Sequence, residues 1–100
     1  MQNATMVEIA RQDGAEYRSV RLDIGSDGTI RMDTHDIGPN IERIWDREDY
    51  EFSVEVPSSA VGRLAFELLR EKFAGNLQAV IALRDFCVQH GIAHEFDSWP

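Results

Sequence analysis

Residues 50–76 read YEFSVEVPSSAVGRLAFELLREKFAGN, and the hydrophobic period changes once within them. Up to Val56 the apolar Tyr50, Phe52, Val54 and Val56 alternate with Glu51, Ser53 and Glu55. That is the two-residue period of a strand with one apolar and one wet face. Pro57 ends the run. Beyond it Val61, Leu64, Ala65, Leu68, Leu69 and Phe73 recur at spacings of three and four, with Glu67, Arg70 and Glu71 opposite. This spacing predicts an amphipathic helix. Ser58 or Ser59 offers its cap, and Gly75 its stop. Asn76 then offers the cap of a second helix, which carries Leu77, Val80, Ile81, Leu83, Phe86, Cys87 and Val88 as far as Gly91. So short a turn makes the two helices antiparallel neighbours.

Upstream the period is two throughout. Val7 and Ile9 flank Glu8; Val20, Leu22 and Ile24 alternate with Ser19, Arg21 and Asp23; Ile30 and Met32 alternate with Arg31 and Asp33. Asp13-Gly14 and Ser26-Asp27-Gly28 supply the turns, the second as a tight hairpin. Downstream, Ile92, His94 and Phe96 alternate with Ala93 and Glu95, which predicts a short terminal strand. The expected order is β-β-β-β-α-α-β. It describes a single α+β domain over residues 1–100, with an antiparallel sheet of four to five strands covered on one face by a helical hairpin.

The 100 residues carry 10 Lys+Arg against 18 Asp+Glu, a net charge of -8. Lys72 is the one lysine, and the nine arginines are scattered singly. Duplex binding depends on clustered cations that displace phosphate counterions, so no nucleic-acid role is expected, nor an anionic membrane surface. No apolar run reaches the roughly 20 residues that span a bilayer. The opening MQNATMVEIARQD lacks a basic stretch followed by an apolar one, so no secretory signal and a cytoplasmic home are expected. The lone Cys87 excludes an internal disulfide framework.

Between strands three and four lies a connection too long for a hairpin turn, Asp36 to Asp49. Ile37, Ile41, Ile44 and Trp45 fit a helical turn there, with Asn40 as its cap. Connections of this length tend to carry function or to form small lids. Residues 33–51 hold seven acids (33, 36, 42, 46, 48, 49 and 51) and two bases, so five of the eight surplus negative charges fall in 19 residues. Trp45 and Tyr50 lie among them. Carboxylates beside aromatics suit an arginine or lysine presented by a partner, through ion pairing and cation–π contact. The partner-binding candidates are Asp36, Glu42, Trp45, Asp46, Glu48, Asp49 and Tyr50, and the partner a basic protein. The plainer alternative is a solvated loop in which Trp45 closes one end of the core.

Asp33-Thr34-His35-Asp36 offers a different chemistry: a small enzyme or metal-binding protein built around Asp33, His35 and Asp36. Alternation puts Asp33 and His35 on one strand face, where they could meet one ion, with His94 a further supplier. No clustered ligand spacing supports a metal, and no cofactor is expected. Cys87 falls on an apolar helical stripe, Ser58 and Ser59 serve as caps, and no glycine spacing matches a phosphate-binding loop. At the C-terminus, Trp99 either docks onto the fold or offers an exposed aromatic to another chain. A homodimer through the helical hairpin or a sheet edge is a third possibility.

Three segments recur together in a recognisable order: DIGPNIERIWDREDYEF (36–52), KFAGNL (72–77) and HGIAHEFDSW (90–99). Over residues 28–100 the chain thereby resembles a family of short uncharacterised bacterial proteins that carry a G-P-x-x-E, D-Y-E, K-F-x-G and G-I-x-x-E-F-x-S-W series. The resemblance implies no activity and transfers no catalytic or binding residue. In size and charge alone, small acidic toxin-neutralising proteins are comparable. The expected function is a non-enzymatic protein-binding module, regulatory or toxin-neutralising.

Overall fold

The computed structural model describes residues 5–37 and 49–98, with backbone only at 49 and 50. Four strands form one antiparallel sheet in sequence order: β1 (Thr5–Gln12), β2 (Tyr17–Ile24), β3 (Ile30–Ile37) and β4 (Asp49–Val56). Two helices follow, α1 (Ser58–Phe73) and α2 (Ala79–His90). The α+β class and the four-stranded meander read from the sequence both hold. The chain divides into two compact units: Met1–Ala65, with the sheet and the start of α1, and Phe66–Pro100, with the rest of α1, α2 and the tail.

The hairpin between β2 and β3 sets the register of the sheet. The Gly25 N–H donates to the Thr29 carbonyl at 2.8 Å, and the Gly28 N–H donates to the Gly25 carbonyl at 3.0 Å. Asp27 accepts from the Thr29 N–H at 2.9 Å, and Gly28 takes φ +90°, a conformation open to glycine. Ile24 thus stands opposite Ile30, and each later pair follows: Leu22 with Met32, Val20 with Thr34, Ser19 with His35, Arg18 with Asp36.

The two faces follow from this register. One row runs Val7–Leu22–Met32–Val54, and the next Ala10–Val20–Thr34–Phe52, giving an apolar face. The other face carries Glu8–Arg21–Asp33–Ser53 and Arg11–Ser19–His35–Glu51. β1 departs from simple alternation. The register shifts between Glu8 and Ala10, so Ile9 is the bulged residue and Ala10 continues the row of Val7. On the apolar face Phe52 is 46% and Val54 67% exposed.

In the second unit one boundary differs from the pattern. Asn76 does not cap α2; its side chain accepts from the Gln78 N–H at 2.8 Å in a local turn, and the helix starts at Ala79. Leu77, read as helical, lies before it and is 96% exposed. At the other end Gly91 is αL (φ 65°), and the Ile92 N–H reaches the Cys87 carbonyl at 2.9 Å, closing the helix.

Residues 92–98 form no strand. Alternation in Ile92, His94 and Phe96 supplies the pattern of a strand, but a strand exists only where a neighbour offers a ladder. Phe96 instead lies against α2, with the Arg84 guanidinium 4.8 Å from its ring centroid. The helical turn expected over 37–45, Trp45 included, and Trp99 fall outside the described residues.

Candidate functional site

The charged face of the sheet gathers most of the polar chemistry. Arg21 Nε donates to Asp33 Oδ1 at 3.0 Å, and Arg31 Nε lies 3.5 Å from Asp33 Oδ2. Glu51 takes Arg21 at 3.9 Å and His35 Nδ1 at 2.7 Å. On β1, Glu8 accepts from Arg11 at 3.2 Å and from the hydroxyl of Ser19. These two donors, Ser19 first, hold the Glu8 carboxyl below its ordinary value. Asp27 is lowered too, by the Thr29 hydrogen bonds of the hairpin.

Ser19, His35 and Glu51 form one row across three strands, under an open concavity of about 620 Å³ lined by Met6, Glu8, Arg11, Tyr17, Ser19, Arg21, His35 and Ile37. A hydroxyl, an imidazole and a carboxylate in sequence invite comparison with an acyl-transfer triad. The hydrogen bonds argue otherwise. Ser19 is 5% exposed and gives its single proton to Glu8, so the hydroxyl is not aimed at His35 as a general base. The backbone N–H groups around it belong to the sheet ladder, where they offer no oxyanion site. The row works as a cross-strand lock.

The sequence candidates separate accordingly. Asp33 and His35 share the charged face, but His35 meets Glu51 and Asp33 meets two arginines. Asp36 lies on the opposite, apolar face. There it is 4% exposed and gripped bidentately by Arg18, Nε to Oδ1 at 2.6 Å and Nη2 to Oδ2 at 2.5 Å. Strand alternation therefore keeps Asp36 on the face away from Asp33 and His35, so the three cannot meet one ion. His94 belongs to the second unit, where its Nδ1–H donates to the Ile92 carbonyl at 2.8 Å. It lines a cavity of about 180 Å³ with Leu83, Arg84, Cys87 and Phe96. Among the described residues no three His, Cys, Asp or Glu side chains gather as a metal-holding group.

Glu42, Trp45, Asp46 and Glu48 fall outside the described residues. Asp49 and Tyr50 occupy strand positions opposite Ile37 and Asp36. The sequence reading missed the Arg18–Asp36 pair and the Ser19–Glu8 contact. The hairpin length was the available signal for the first, because pairing Ile24 with Ile30 also pairs Arg18 with Asp36. Compared with family models, curated proteins and solved structures, the chain gives no match.

Proposed function

We propose that the chain is a small non-enzymatic binding module, regulatory or toxin-neutralising, that engages a basic protein surface through segment 36–51. One observation carries the reading. Of the seven acids between 33 and 51, Asp33, Asp36 and Glu51 already have arginine or histidine partners within the sheet. The rest of the segment keeps Glu42, Asp46, Glu48 and Asp49 against Arg43 and Arg47, beside Trp45 and Tyr50. Arg18, Arg21 and Arg31 are engaged by carboxylates of the sheet itself, and a basic partner surface suits the acids that remain in the segment.

The alternative, an enzyme or metal site around Asp33, His35 and Asp36, requires three side chains that β3 sends to two faces. That weighs against it.

The test is retention of proteins from a native lysate by immobilised wild-type chain and by an Asp46→Lys/Asp49→Lys variant. The expected result is a basic protein held at low salt, released as salt rises, and lost from the variant. Identical profiles for the two chains overturn the proposal.

A further inference from the structure

The first compact unit holds two Asp-Gly pairs, and the fold treats them differently. Asp13-Gly14 lies between β1 and β2, and Asp27-Gly28 between β2 and β3. An aspartyl carboxyl followed by glycine is open to attack by the next backbone nitrogen, because glycine brings no Cβ to hinder the approach and lets the backbone rotate into it. The attack needs a protonated carboxyl that is free to turn, and a backbone N–H that is not tied elsewhere.

At Asp27-Gly28 each requirement is opposed. The Gly28 N–H donates to the Gly25 carbonyl at 3.0 Å, and Asp27 Oδ1 accepts from the Thr29 N–H at 2.9 Å. The Thr29 bonds also hold the Asp27 carboxyl below its ordinary value, which makes the protonated form scarcer. The Gly25 N–H, donating to the Thr29 carbonyl at 2.8 Å, closes the loop around both groups.

At Asp13-Gly14 these restraints are missing. Residues 14–16 bend without a hydrogen-bonded turn, and among the described residues no turn hydrogen bond uses the Gly14 N–H. Gly14 takes φ +127°, with no heavy atom within 4 Å of the place a Cβ would occupy. Asp13 Oδ1 accepts from Arg11 Nη1 at 3.2 Å, but both side chains are exposed and such a pair holds weakly. Gln12 Nε2 donates to the Glu16 carbonyl at 3.1 Å across the loop, a bond that engages neither reacting group.

We propose that Asp13 is a site of spontaneous isomerisation to isoaspartate, and that the β2–β3 hairpin protects Asp27 from the same reaction. The Gly14 nitrogen attacks Asp13 Cγ. The new C–N bond closes a five-membered succinimide, and the carboxyl hydroxyl leaves as water with the amide proton. A water molecule then adds to the ring. Addition at Cγ restores aspartate; addition at the main-chain carbonyl breaks its bond to nitrogen and leaves the backbone running through Cγ. One water is lost and one gained, and nothing is oxidised or reduced. The product keeps its charge and mass but carries an extra main-chain carbon, next to the Gln12–Arg18 pair that ends the β1–β2 ladder.

The test is ageing of the full chain at mildly acidic pH, folded and, in parallel, unfolded in guanidinium, followed by cleavage after arginine. That cleavage isolates residues 12–18, with Asp13, and residues 22–31, with Asp27. Isoaspartate shows as a peptide of unchanged mass and shifted elution that an isoaspartyl methyltransferase labels. The unfolded chain sets the intrinsic rate at each site. In the folded chain the 12–18 peptide should convert at close to that rate, and the 22–31 peptide about tenfold more slowly, since two hydrogen bonds must break before attack. Protection of 12–18 equal to that of 22–31 overturns the proposal, and so does faster conversion at Asp27 than at Asp13.

Discussion

The two faces of the sheet are made from the same four strands and obey opposite rules. On the charged face, Glu8, Ser19, Arg21, Asp33, His35 and Glu51 find partners on neighbouring strands. The apolar face exposes Met32, Phe52 and Val54 and hides a polar pair: Asp36 is its most buried charged group. A charged face is completed by short-range pairing between neighbours. An apolar face is completed only by removal from water, which needs a second layer. The burial of Asp36 makes the contrast measurable, because a charge removed from water depends on its partner far more than a wet one does.

The largest expected effect follows from that dependence. Arg18→Ala leaves the Asp36 carboxylate buried without its cation, and should cost about 2 kcal/mol in urea unfolding, less than a fully buried pair because Arg18 is half exposed. Arg21→Ala should cost about 0.5 kcal/mol, since Asp33 keeps Arg31 and Glu51 keeps His35. Equal costs for the two variants would break the distinction between the faces.

A smaller effect sharpens it. Ser19→Ala removes a buried hydroxyl and its bond to Glu8, for an expected loss of about 1 kcal/mol in the same assay. A neutral result would mean that Glu8 is served equally well by Arg11 alone.

The smallest effect is pH dependence. Glu8 and Asp27 both titrate below their ordinary values of 4.5 and 3.8, so each binds protons more weakly in the folded chain than in the unfolded one. The stability they contribute is fully present above those values and is lost as pH falls through the lowered folded-state values. The urea midpoint should therefore decline as pH drops below about 4.5, and the decline should be shallower in Ser19→Ala, where Glu8 loses its main donor. The same slope in both chains would show that Ser19 does not tune Glu8.

Much of the fold was legible as alternation. Tyr50 to Val56 and Val20 to Ile24 are strands because each has a face to bury and a face to wet. Two features were not legible, for one reason: period two describes a single chain segment, whereas pairing belongs to two. Ile9 fits the alternation of β1, yet the register against β2 makes it a bulge. Ile92, His94 and Phe96 alternate as well, but lack a ladder and lie outside any strand. The candidate site divides in the same way. Asp33 and His35 sharing a face was visible along β3 itself. Their engagement by Arg21 and Glu51 depends on neighbouring strands, and in the case of β4 on a register set across the connection from 38 to 48.

The five residues from Gly25 to Thr29 act on the sheet much as a reading frame acts on codons. Each position on β3 acquires its meaning, inward or outward, from how many residues the loop spends before pairing begins. Deleting Ser26 and sliding β3 by one residue against β2 would bring Asp33 and His35 to the apolar side and send Met32 and Thr34 to the charged one. Substitutions in this loop are changes of a letter; a change in its length rewrites both faces at once.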